Sequence, residues 1–226
     1  MHIGLIGGIG PAATELYYRQ LALASARENR RLELTIVHAE LADLLNNLAS
    51  DSRTAQAEVF RALTARLKAA GADAVAITSM AGHFCIREFE EVSPLPVLSA
   101  IEAVRADLTQ RGVKALGLLG TRAVMTSQLF GGLKGFVVII PNGDVLERAD
   151  REYVAMARAG GVSEPQREFF FQTGRRLHRA GAELVLLAGT DLYLAFDGRE
   201  CGVVTIDCAT VHIDSMLRLS LMENPD

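Results

Sequence analysis

Residues 4–17 read GLIGGIGPAATELY, and residues 117–130 read GLLGTRAVMTSQLF. Gly4 aligns with Gly117, Gly7 with Gly120 and Tyr17 with Phe130, all at one offset. Each stretch is a short apolar run that breaks at glycine and passes into helical spacing, as a strand–turn–helix does. Two more pairs follow in the same order: 71–79 (GADAVAITS) with 181–189 (GAELVLLAG), and 97–104 with 204–211. One α/β unit therefore occurs twice in the chain.

Strands are expected near 2–6, 32–38, 73–78, 95–98, 114–119, 136–140, 183–188 and 202–206. Helices are expected near 12–28, 53–70, 99–110, 122–132, 144–159, 165–180 and 207–221. Pro11 suits a first helical turn, and Gly71 a helix stop. Alternating strands and helices imply βαβ crossovers and mainly parallel sheets. The expected fold is α/β: two pseudo-symmetric, Rossmann-like domains with a ligand cleft between them. The first takes residues 1–98 plus 207–226, the second 99–206. In open α/β sheets ligands sit at the C-terminal ends of strands. The cleft loops would then be 7–14, 38–53, 78–83, 120–127, 188–193 and 206–208.

Composition narrows the function. Of 226 residues, 50% are apolar and 22% charged, the mix of a globular protein with a full core. Lys and Arg number 23 against 27 Asp and Glu, a net charge of −4, which gives no electrostatic reason to expect nucleic acid. No apolar stretch approaches the roughly 20 residues of a membrane span. The start, MHIGLIGGIG, has no basic leader. Cys85, Cys201 and Cys208 form no CxxC pair, so neither a disulfide framework nor a zinc site is indicated. A cytoplasmic location is expected.

Gly8-x-Gly10-x-x-Ala13 formally fits a loose dinucleotide fingerprint, with Glu40 as an approximate acidic partner. A glycine turn whose N–H groups at Gly8 and Ile9 face a small anionic ligand is the simpler functional reading.

The opening GLIGGIGPAATELYYRQL resembles that of the aspartate/glutamate racemase family, which works without pyridoxal phosphate. The resemblance continues through GADAVAITSMAGH (71–83), LLGTRAVMTSQLF (118–130), GAELVLLAGTD (181–191) and VVTIDCATVHID (203–214). It implies a homodimer and a small amino or carboxylic acid held between the domains. It also implies two cysteines on opposite faces of the substrate Cα, one removing and one delivering a proton. A duplicated fold suits that chemistry, since a base and an acid must flank one carbon.

The chain departs from the family at those positions. Aligned on His83, the first motif (Cys-Asn-Thr-Ala-His in the family) here is Ser79, Met80, Ala81, Gly82, His83. The second (Gly-Cys-Thr-Glu) is Ala188, Gly189, Thr190, Asp191. In the third, Thr121 is kept and a second threonine corresponds to Val124. Both thiols are therefore missing from their usual places. A hydroxyl is a poor base without a partner, and glycine moves no proton.

The catalytic residues expected in their stead are Ser79, His83, Thr190 and Asp191. Substrate binding falls to Gly8, Ile9, Arg53, Met80, Ala81, Thr121 and Arg122, with Arg122 a bidentate substitute for lost carboxylate contacts. Arg158 aligns loosely with a basic family residue. Cys85, Cys201, Cys208 and His212 are expected to be packing residues. Met80, Ala81 and Val124 make the pocket more apolar than an aspartate site, so another ligand is expected. The implied activity is a cofactor-independent amino-acid racemase of altered mechanism or substrate, with no metal. The alternatives are a lyase or decarboxylase of a small carboxylic acid, or a silent binding protein on the same fold.

Overall fold

The computed structural model describes residues 1–222. The first half runs β1 (His2–Gly7), α1 (Pro11–Arg27), β2 (Glu33–His38), α2 (Leu41–Ala49), α3 (Arg53–Ala69), β3 (Ala74–Ile77), a 3-10 turn (Ala81–Cys85), α4 (Ile86–Val92) and β4 (Val97–Leu98). The second half runs α5 (Ala100–Gln110), β5 (Ala115–Leu119), α6 (Arg122–Thr126), β6 (Val137–Ile139), α7 (Gly143–Ala159), α8 (Glu164–Arg179), β7 (Leu184–Leu187), α9 (Tyr193–Phe196) and β8 (Thr205–Asp207), and then α10 (Cys208–Met222).

The strands form two four-stranded sheets, ordered β2-β1-β3-β4 and β6-β5-β7-β8, and every pairing is parallel. The two orders are the same order, which is the duplication seen in the sequence. Central strands β3 and β7 are buried along their whole length, as strands covered on both faces must be. Edge strand β2 has only exposed and half-buried positions.

The repeated glycines have a packing reason. A Cβ on Gly4 would lie 2.9 Å from Leu67 Cδ1 of α3, and one on Gly117 would lie 2.9 Å from Leu177 Cβ of α8. In each half the bare strand lets the helix that leads into the neighbouring strand, α3 before β3 and α8 before β7, press a leucine onto the sheet. Chain contacts divide the protein into two compact units, Met1–Ala100 with the segment from His212 onward, and Ile101–Val211. Leu5, Tyr17, Phe60 and Phe89 are fully buried in the first, and Leu116, Leu118, Phe170 and Leu186 in the second. Among the described residues no helix is long and apolar enough to cross a membrane.

Two expectations need correction. The 38–53 loop contains the nine-residue helix α2, because LADLLNNLA repeats leucine at helical spacing. The helix expected over 122–132 stops at Thr126, and Gln128, Leu129 and Phe130 turn left-handed at φ 50, 59 and 55. At this turn the Ser127 hydroxyl accepts the Phe130 N–H at 2.9 Å, a donor that a continuing helix would direct to the Thr126 carbonyl.

Candidate functional site

In the first unit, the loops after β1 and β3 lie at the C-terminal edge of the sheet. The β1 loop is tied down by its own helix. Gly8 (φ +88) and Gly10 (φ +109) turn the chain, and Pro11 starts α1. Thr14 Oγ1 accepts the Gly8 N–H at 3.0 Å and lies 3.2 Å from the Gly10 carbonyl and 3.1 Å from Thr78 Oγ1. This corrects the reading of Gly8 as an anion-facing donor, since Thr14 already holds its N–H. Ile9 is buried at 2% exposure, and Glu40 stands at the surface 3.2 Å from His38.

After β3, Ser79 and Met80 are buried and Ala81 is half-buried. His83 is fully buried; its Nδ1 donates to the Ser79 carbonyl at 2.8 Å and its Nε2 accepts the Ala100 N–H at 3.1 Å. Burial lowers its pKa to about 4, against the raising effect of the Ser79 carbonyl. His83 is therefore neutral with both nitrogens engaged, a brace for the Ser79 turn rather than an available base. His212 is built alike: Tyr17 Oη meets Nδ1 at 2.9 Å, Nε2 donates to the Leu98 carbonyl at 2.8 Å, and burial followed by His83 lowers its pKa to about 3. The two rings stand edge to face, 6.2 Å apart.

In the second unit, α7 spans the loops after β5 and β7. Asp150 accepts the Arg122 N–H at 2.7 Å, and one turn later Tyr153 Oη donates to Asp191 Oδ2 at 3.1 Å. Thr121 caps α6, its side chain accepting the Val124 N–H at 3.3 Å. The Arg122 guanidinium pairs with Glu147, and Arg53, in the first unit, with Asp51 at 2.8 Å; both pairs are solvent-exposed. Arg158 is exposed near the end of α7.

The β7 loop holds a dense group of buried polar residues. Thr190 is 1% exposed and its hydroxyl has no partner among the described residues. Asp191 is 2% exposed. Leu187 pairs with Asp207 in the β7–β8 register, which brings Asp207 beside the loop. Asp207 Oδ1 accepts the Thr210 N–H at 2.8 Å, whereas Oδ2 is buried without a partner among the described residues. Burial lifts the Asp207 pKa to about 6; the Thr210 and Ala209 groups oppose this and the Asp191 charge adds to it. Burial, Asp207 and Asp191 likewise push the Cys208 thiol well above its ordinary value. Burial and then Glu88 push Cys85 to about 12. Cysteine reactivity needs a thiolate, so these environments oppose thiol chemistry. Among the described residues no group of three or more His, Cys, Asp or Glu could hold a metal ion.

Gly189 is enclosed. A Cβ there would lie 2.3 Å from Tyr153 Cε2 and 3.0 Å from its hydroxyl. Tyr153 and Asp207 are the site residues that motif reading misses. Tyr153 lies in the middle of α7, where DREYVAM reads as an ordinary apolar face, and no spacing links it to residue 189.

A family model described as Asp/Glu/hydantoin racemase matches residues 6–216, and the chain belongs to that family. A solved structure of a candidate Asp/Glu racemase from Yersinia pestis is 24% identical, with a TM-score of 0.84, covering 98% of this chain and all (100%) of that one. An aspartate racemase homologue from Pyrococcus horikoshii is 25% identical, with a TM-score of 0.77, over 97% and 98% of the two chains. A glutamate racemase from Francisella tularensis, solved with D-glutamate, shares the fold at 16% identity and a TM-score of 0.65, over 99% of this chain and 81% of that one.

Proposed function

We propose that this protein is a racemase-like isomerase of a small amino or carboxylic acid, one that moves the α-proton without thiols at positions 79 and 189. The observation that carries the reading is the family match over residues 6–216, together with both motif loops at the C-terminal edges of two like-ordered sheets. Ser79 and Thr190 supply hydroxyls and Asp191 a carboxylate at the two loops. Cys85 and Cys208, whose thiols are raised away from ionisation, take no part. Met80, Ala81 and Val124 put apolar side chains where the resembling motifs carry polar ones, which favours a substrate less polar than aspartate.

The test is proton NMR in deuterated water with a panel of amino acids and small carboxylic acids. Loss of a Cα-proton signal with matching racemisation supports the reading. No exchange across the panel, from well-folded protein, overturns it.

A further inference from the structure

We propose that the phenol of Tyr153 stands in for the side chain that position 189 lacks, and that Tyr153 and Asp191 form a proton relay there. This inference rests on the racemase-like reading above and names the group that moves the proton on this side of the reaction.

A side chain beginning at Gly189 would run into the outer edge of the Tyr153 ring, at 2.3 Å from Cε2, 2.8 Å from Cζ and 3.0 Å from the hydroxyl oxygen. The tip of the tyrosine thus fills the volume that a residue 189 side chain would occupy. It arrives from α7 and not from the motif loop, so the missing group is replaced in space and not in sequence. The hydroxyl is oriented, since it donates to Asp191 Oδ2 at 3.1 Å. Beside it in the chain, Thr190 holds a buried hydroxyl without a partner among the described residues, a polar group left over for a ligand.

The electrostatics decide which chemistry the pair can do. Burial, and then the charge of Asp191, push the Tyr153 pKa well above its ordinary value, with Cys208 adding to the rise. A free phenolate base is therefore excluded at neutral pH. A relay avoids the phenolate. As the substrate Cα–H bond breaks, its electron pair stays on the substrate as the carbanion. The proton bonds to a lone pair of the Tyr153 oxygen. The original Tyr153 O–H bond breaks in the same step, leaving its pair on oxygen, and that proton bonds to Asp191 Oδ2. Tyrosine stays neutral throughout and Asp191 ends as the acid. The reverse sequence delivers a proton to the carbanion, so the pair serves both directions.

The experiment compares wild type with Tyr153→Phe and Asp191→Asn in deuterium exchange at Cα, on whichever acid of the panel the wild type turns over. Tyr153→Phe keeps the ring and removes only the oxygen. The expected result is a fall in kcat of about 100-fold or more with KM within about threefold, and an Asp191→Asn loss that does not add to it, as for groups acting as a unit. A Tyr153→Phe enzyme with kcat within about threefold of wild type overturns the relay while leaving the racemase-like reading intact. Wild type without exchange overturns the reading and the relay with it.

Occupancy of the position is read separately by thermal melting and needs no turnover. Gly189→Ala is expected to lower the melting temperature when Tyr153 is present and to cost nothing further in a Tyr153→Ala background. Additive losses overturn the replacement.

Discussion

Acidification should unfold the first unit well before the second, and the size of the effect follows from two histidines. His83 and His212 are buried and neutral, with pKa values of about 4 and about 3 against an ordinary 6.5. Below pH 6.5 the unfolded chain binds protons that the folded unit refuses. Stability is therefore fully present above 6.5 and is lost as pH falls toward the folded values. Each group costs about 1.4 kcal/mol per pH unit, so the pair removes about 5 kcal/mol between pH 6.5 and 4.5. That is comparable with the whole stability of a small domain.

Asp207 in the second unit works the other way. Its pKa is raised from 3.8 to about 6, so the folded state takes up its proton first. Its contribution is full below 3.8 and is lost as pH rises through 6; lowering pH from 6 to 4.5 returns about 2 kcal/mol. The assay is hydrogen exchange by mass spectrometry from pH 7.5 to 4.5, corrected for the intrinsic pH dependence of amide exchange. Protection in β1, β3 and α1 should fall steeply while that in β5 and β7 holds. Equal loss in both units would refute the reasoning, as would an unchanged slope in His212→Gln.

All three cysteines are free and buried, so a thiol reagent at pH 8 should modify none in the native protein and three once it is denatured; fast labelling of Cys208 in the native protein would contradict its environment. Gly8→Ala should destabilise by about 2–3 kcal/mol in a urea melt, because φ is +88 and the new Cβ would lie 2.3 Å from His38 Nδ1 and 2.6 Å from the Ala39 carbonyl. Thr14→Val should cost about 1–2 kcal/mol in the same melt by removing the acceptor of the Gly8 N–H, whereas an unchanged midpoint would mean solvent already satisfies that group.

Much of the fold could be read from the chain, since the central strands are apolar throughout and recur at matching intervals. Gly4 and Gly117 were legible as a repeat, although the leucines that require them became visible only in three dimensions. Short elements were harder. Helix α2 hid in a stretch read as loop, and α6 ended early where the Ser127 hydroxyl takes the Phe130 N–H. At the site, motif alignment pointed to Ser79, Thr190 and Asp191, but not to what surrounds them. That both His83 nitrogens bind backbone, and that Tyr153 sits over Gly189, depends on residues 17 and 36 positions away in sequence, which no local pattern encodes.

The chain order of the two units has a consequence during synthesis on the ribosome. Residues 101–211 form one uninterrupted stretch, so the second unit can close as soon as it emerges. The first unit cannot, because His212, which holds Tyr17 and the Leu98 carbonyl, is made after all of the intervening unit. A nascent chain halted before residue 212 should hold all four strands of the first sheet but lack the C-terminal segment that completes its unit. The part made first is therefore the part finished last.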